Sequence, residues 1–206
     1  MTTWRQKQAE ELKERLYSTA LELFRELGYE STPVDRITSQ AGVAKGTFFN
    51  YFPGKDHVLA IWYQRVTLDV LQSCRESDFG TAEEAICALV AGLGQVGTKE
   101  AELYAAKTRN WSRTVSSEED ALDAALLDYL VTHLEQGSRS GELDDSIEVR
   151  FFADLILAVL TGTAKNWVIR ECGFDLEHIL TSRIRFLFSL ARSGERAGQP
   201  RSARQS

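Results

Sequence analysis

Apolar positions recur at helical spacing along most of this chain. Leu12, Leu16, Ala20, Leu23 and Leu27 follow one another at steps of three and four, so residues 5–27 read as an amphipathic helix that stops at Gly28. Thr32-Pro33-Val34-Asp35 then reads as a helix start, with Thr32 as the cap, Pro33 in the first turn and Asp35 at the positive end of the dipole. That helix is expected to reach Gln40, to turn through Ala41-Gly42-Val43 and to be followed by a third helix over 44–51. Pro53-Gly54 breaks the chain again, and a longer helix from Lys55 to Cys74 carries Val58, Leu59, Trp62, Val66 and Leu71. Further helices are expected near 81–96, 100–112, 118–136, 147–171 and 175–191. Their breaks are expected at Gly97, Ser116-Ser117, Gly137 to Gly141 and Gly173. Strand-like alternation persists nowhere and no internal repeat is found. The fold class is all-α.

Composition adds little to that picture, and charge adds one point. The 206 residues are 43% hydrophobic and 26% charged, ordinary for a globular protein, with three prolines that leave room for long helices. Residues 1–8 lack the apolar core of a signal peptide, and Phe151–Val168 is interrupted by Asp154, Lys165 and Asn166, so neither a leader nor a membrane span is expected. Cys74, Cys87 and Cys172 form no CxxC pair, which fits reduced thiols and a cytoplasmic protein. Net charge is −6, at first sight unfavourable for a nucleic-acid partner. Residues 1–57, however, carry 8 basic and 8 acidic side chains, so the acid excess lies in the remainder. A few well-placed cations suffice to neutralise phosphates locally.

Two short helices joined by a glycine-containing turn are the signature of a helix-turn-helix, whose second helix enters the major groove. Residues 32–52 read TPVDRITSQAGVAKGTFFNYF and are followed by PGKDHVL. With Phe24 and Gly28-Tyr29 ahead of it, then Thr32, Val34, Ile37, Ala41-Gly42-Val43, Lys45-Gly46-Thr47, Tyr51-Phe52 and Lys55, this stretch resembles the tetracycline-repressor family of bacterial regulators. The resemblance is strong over residues 9–60 and weak beyond. It implies an N-terminal helix-turn-helix domain over 5–57 and a larger helical ligand-binding and dimerisation domain over 58–192; the polar residues 193–206, by their own composition, are expected to form a disordered tail. It also implies a sequence-specific regulator, a repressor in the first instance. An activator, or an adaptor that does not bind DNA, is the alternative on the same fold.

Val34, Ile37, Val43 and Phe48 have the spacing of a three-helix core, and Gly42 relieves the turn of a side chain. Lys45 opens the third helix as a phosphate or base-edge contact, and Gly46 lets DNA approach the backbone. Asn50 can pair with adenine N6 and N7, and the Thr47 methyl can meet a thymine methyl. Tyr51 and Lys55 resemble the family's phosphate anchors, and Thr32 could add a hydroxyl. Two positions depart from the pattern. Ala44 stands where serine is common, so the third helix loses a cap worth about 1 kcal/mol. Phe49 stands where tyrosine is usual, and can pack on a sugar or a thymine methyl.

Residues 147–171 and 175–191 are apolar on more than one face, which calls for cover on more than one side. A homodimer through 147–191 would supply it, as the resemblance implies, and would require a roughly palindromic double-stranded operator, a deep core within one subunit being the alternative. Trp62, Tyr104, Trp111, Tyr129, His133 and Trp167 are spread over four segments and could converge on a pocket for a small apolar or aromatic effector. Plain core packing is the alternative for each of them. The histidines His57, His133 and His178 have no metal-ligand spacing, and neither a phosphate loop nor a GxSxG elbow occurs. No enzyme, cofactor, metal site or membrane partner is expected.

Overall fold

The computed structural model describes residues 3–110 and 117–192. Among these residues the elements are helices: α1 Trp4–Leu27, α2 Val34–Gln40, α3 Lys45–Phe49, α4 Lys55–Arg75, α5 Ala82–Lys99, α6 Ala101–Arg109, α7 Ser117–Arg139, α8 Val149–Ile169 and α9 Leu176–Ala191. The all-α expectation holds.

A capping box starts α1. The Thr3 hydroxyl accepts from the Gln6 N–H while the Gln6 side chain accepts from the Thr3 N–H. Residues 3–11 are exposed on every side, and the fully buried face begins at Leu16 with Ala20, Leu23 and Phe24 behind it. These pack with Ile37, Phe48, Phe52, Val58 and Leu59, while Val34 and Val43 close the edge. Gly42 has a φ of +69°, which a side chain would oppose. The third helix is shorter than the expected 44–51. The chain turns at Asn50 so that Phe52 can drop into the core, its N–H bonded to the Phe48 carbonyl at 2.9 Å.

The expected border between 57 and 58 falls inside α4, which runs on unbroken and contributes Val58, Leu59, Trp62 and Leu71 to a continuous core. Head and body therefore share a helix.

In the body, α5 lies along α9, α7 along α8, and α6 is wedged between α4, α5 and α8. Gly97 does not end α5 as expected. A Cβ there would come within 2.7 Å of Leu176, and one at Gly94 within 2.7 Å of the Glu177 backbone. These glycines serve the close approach of α9, at a helix-propensity cost of about 1 kcal/mol each. Likewise α7 continues through Gly137 to Arg139, and the turn falls at Gly141.

Two faces of α8 and α9 are apolar, as expected, and the structure sorts them. Phe152, Ile156, Leu160, Trp167, Leu176, Leu180, Ile184 and Phe188 point into the core. Phe151 (67% exposed), Leu155, Phe186 (62%) and Leu190 (67%) point out. By length and composition α8 could also cross a bilayer, although its inner face is packed against α6, α7 and α9.

Candidate functional site

The candidate DNA-facing end of the head is built on α3. Phe48 anchors it from inside, fully buried against Phe52 at a ring separation of 5.3 Å. That anchor turns Lys45, Gly46, Phe49 and Asn50 outward, with Thr47 and Tyr51 half-buried beside them. No side chain caps α3 at Ala44, in keeping with the missing serine. A Cβ added at Gly46 would meet nothing within 4 Å, so its bareness answers to no packing within the chain. Lys45 pairs with Asp35 of α2 at 2.8 Å, an exposed pair of little stability value. Phe49 stays 50% exposed, edge-on to Phe48. Such a helix presents a cation, a bare backbone, an apolar ring and an amide to whatever docks on it.

Two residues expected to face phosphate have other duties. Thr32 is fully buried and does not cap α2, whose first cap position is Pro33. Its hydroxyl instead donates to the Gly28 carbonyl at 2.8 Å and the Leu23 carbonyl at 3.2 Å, tying the end of α1 to the start of α2. The Lys55 ammonium donates to the Tyr29 carbonyl at 2.6 Å and the Thr32 carbonyl at 3.3 Å, and sits 4.2 Å from the Tyr29 ring centroid. Burial pulls its pKa below the usual lysine value. Both residues lock the frame that holds α3.

Behind the head, a cavity of about 240 Å³ opens between α4, α6, α7 and α8. Leu126, Leu127, Leu157, Leu160 and Ala164 supply apolar wall, and Tyr63 and Tyr104 face each other edge-on at 5.9 Å. Burial holds the Tyr104 hydroxyl well above the ordinary phenol range, so it remains a neutral donor. Lys107 is only 4% exposed and lines the cavity beneath the Tyr63 ring, whereas Asp123 and Lys165 are exposed lining residues. The lining is thus mainly apolar, with one cation inside it.

Of the six residues expected to gather round a ligand, Tyr104 lines this cavity. Trp167 stands behind it, edge-on to Tyr104 at 5.9 Å, with its indole N–H donated to the Phe174 carbonyl at 2.8 Å. Trp62 is core, packed behind Tyr63. Tyr129 and His133 stack at 4.4 Å on a different face of α7, toward α5 and Phe79, where the Tyr129 hydroxyl donates to the Ala85 carbonyl. These four pack as structural aromatics and do not line this cavity. Trp111 lies outside the described residues. Sequence reasoning missed Tyr63, Lys107 and the α8 stripe Leu157, Leu160, Thr161, Ala164 and Lys165. The stripe has clear helical spacing, but spacing alone cannot say which of two apolar faces borders a cavity.

Two ion pairs connect the cavity walls to the head. Arg65 of α4 grips Glu14 of α1 through two 2.8 Å bonds and stacks on Tyr17, while Arg25 of α1 bonds Glu100 at the start of α6 at 2.9 Å. Among the described residues no cluster of His, Cys, Asp and Glu could hold a metal ion.

A family model described as bacterial regulatory proteins, tetR family, matches residues 16–60, and one described as YsiA-like protein, C-terminal region, matches residues 121–189. The chain is similar to the fatty acid metabolism regulator protein of Bacillus subtilis (strain 168), at 23% identity over 180 residues, 85% of this chain and 93% of that one. Its fold is similar to that of Thermus thermophilus FadR, a TetR-family transcriptional repressor crystallised with lauroyl-CoA (TM-score 0.74, 24% identity, 90% of this chain and 99% of that one). It is also similar to the fold of Bacillus subtilis FadR in complex with stearoyl-CoA (TM-score 0.70, 23% identity, 85% and 97%). The first model spans the helix-turn-helix and the second spans the α7 and α8 walls of the cavity. A chain that carries both in this order belongs to the tetracycline-repressor family of bacterial transcriptional regulators.

Proposed function

We propose that this protein is a cytoplasmic, homodimeric repressor that an apolar effector releases from a roughly palindromic operator, and that the effector is a fatty acyl chain carried on coenzyme A. The observation that carries this reading is the double attachment of α6. Its first residues are tied to α1 through Arg25–Glu100, and one turn later Tyr104, Lys107 and Thr108 line the cavity. A ligand that spreads Tyr104 from Tyr63 must move α6 against α4, and both helices hold α1. The acyl class is supported by the mainly apolar lining and by the two FadR neighbours, which were crystallised with lauroyl-CoA and stearoyl-CoA. A volume of about 240 Å³ is below the 300–1,000 Å³ usual for ligand sites, so the cavity is expected to open further when filled.

In this reading Lys45, Gly46, Thr47, Phe49, Asn50 and Tyr51 face DNA, with Thr32 and Lys55 as supports. The exposed face of α8 and α9, with Phe151, Leu155, Phe186 and Leu190, meets its copy in the dimer. The test is to select DNA with the purified protein and then titrate lauroyl-CoA, stearoyl-CoA and free CoA against the complex. Acyl-CoA should weaken operator binding 5–150-fold, a coupling of about 1–3 kcal/mol, and free CoA should leave it unchanged. Operator affinity indifferent to both acyl-CoAs would remove this effector class.

A further inference from the structure

The amino-terminal part of α1 has no role in the functions described so far. Residues 3–11 are exposed all round, yet the helix is firmly started by its capping box. From Trp4 to Arg15 it extends about 17 Å at 1.5 Å per residue. A polar helix held clear of its own core needs a reason outside that core. One side of it borders an open recess of about 470 Å³, lined by Arg5, Gln8, Glu11, Leu12 and Arg15 together with Tyr51, the residue that follows the outward-facing end of α3. Steps of three and four place Arg5, Gln8, Leu12 and Arg15 on that one side. Arg5 and Arg15 have no ion-pair or hydrogen-bond partner for their side chains among the described residues, in contrast to Lys45, which is paired, and Lys55, which is bonded inward. Glu11 is the acid in the recess.

We propose that this extension is a second DNA-contacting element, one that holds the sugar-phosphate backbone of the operator just outside the base pairs met by α3. The proposal rests on the DNA-binding reading above. The recess is continuous with the DNA-facing end through Tyr51, and its unpaired cations are guanidinium groups, which suit phosphate oxygens. Contacts of this kind fix register and add affinity without reading sequence. A reach of about 17 Å corresponds to about five base pairs on each flank, given about 34–36 Å per helical turn.

The test uses the full chain and DNA that the protein itself selects from a random pool. The selected duplex is compared with versions trimmed by five base pairs at each end, for wild type and for the double variant Arg5→Gln with Arg15→Gln. Both arginines are exposed, so the melting temperature should not change. On the long duplex the variant should bind at least tenfold more weakly at low salt. Its salt slope should fall by about 2–4, because four arginines per dimer each release about 0.9 counterion equivalents. On the trimmed duplex the two proteins should bind alike, with the same base preference. A ratio of variant to wild-type affinity that is the same at both lengths would overturn the proposal. If selection returns no DNA for the wild type, the DNA-binding reading itself falls and takes this inference with it.

Discussion

Head and body hold their polar chemistry on opposite sides of their cores. In the head, the core of Leu16, Phe24, Ile37, Phe48 and Phe52 is a pedestal, and Lys45, Phe49 and Asn50, proposed above to face DNA, stand exposed on its outside. In the body the order is reversed: Tyr63, Tyr104 and Lys107 line the inside of a cavity, and the outside of α8 and α9 carries the large apolar side chains Phe151, Phe186 and Leu190. A partner of fixed shape, such as a duplex, is best met by a rigid convex surface. A flexible apolar ligand is best met by a space that can widen. The two regions are joined where one helix, α4, belongs to both.

The sharpest break of this comparison is between the two sides of α9. Ile184→Asp buries a charge in a fully packed site and should cost more than about 4 kcal/mol, so that the chain fails to fold. Phe186→Asp, two residues on and mostly exposed, should leave a folded monomer with a near-native helical spectrum. That monomer should bind operator at least a hundredfold more weakly, since only one half-site is held. Sedimentation and thermal melting of the two variants separate these outcomes. A dimeric Phe186→Asp protein would place the interface elsewhere.

Within the head, the next largest effects distinguish pedestal from reading surface. Thr32→Val removes the donor to two buried carbonyls, and Lys55→Met removes the donor to the Tyr29 and Thr32 carbonyls. Each should cost about 1–3 kcal/mol of stability and lower affinity for every DNA sequence alike. The salt slope should stay as it was. A slope that drops by about 0.9 per Lys55 lost would make that ammonium a phosphate contact after all.

How much of this was legible in the sequence follows the same division. The head was legible because its signals are local: Gly42 marks a turn, Phe48 and Ile37 mark a core by spacing, and the motif's order fixes which helix faces out. What it concealed was direction at single residues. Thr32 and Lys55 are polar, close to the motif and turned inward, and no spacing rule reveals that. The body's helices were legible, but its cavity was not. Tyr63, Tyr104, Ala124 and Leu160 come from separate helices, and whether a space lies between them depends on how those helices pack. Gly97 failed as a stop for the same reason, because its neighbour Leu176 lies 79 positions away in the chain. Lys107 carries no signal of its place in the sequence, because lysines are rarely buried.

Filling the cavity should produce a smaller effect, confined to the body. Ala164→Phe would project a ring into the lined space from α8. Acyl-CoA affinity should fall at least tenfold, about 1.4 kcal/mol, while operator affinity without ligand stays within twofold. Isothermal titration with lauroyl-CoA and a parallel operator assay read the two. Equal acyl-CoA affinity in variant and wild type would move the effector out of this cavity.

The smallest predicted effect concerns the joint itself. Glu14–Arg65 and Arg25–Glu100 tie α1 to α4 and to α6, and their partly exposed side chains limit what each adds to stability to about 0.2–1 kcal/mol. In the proposed release mechanism they would carry strain from the cavity walls to α1. Glu14→Gln combined with Arg25→Gln should leave operator and acyl-CoA affinities, each measured alone, within about twofold of wild type. The coupling between the two ligands should shrink by about 0.5–1 kcal/mol, so that acyl-CoA releases DNA two- to fivefold less effectively. Acid should imitate half of the variant. The hydrogen bond from Arg65 holds the Glu14 carboxyl below the usual carboxylate value, so its contribution is complete above that value and is lost as pH falls through the lower folded one. In wild type the coupling should therefore be flat around neutral pH and decline only in the acid range where Glu14 takes up a proton. In Glu14→Gln that decline should be absent. A coupling that is unchanged in the double variant and independent of acid would mean that the signal travels along the shared helix α4 alone, without these pairs.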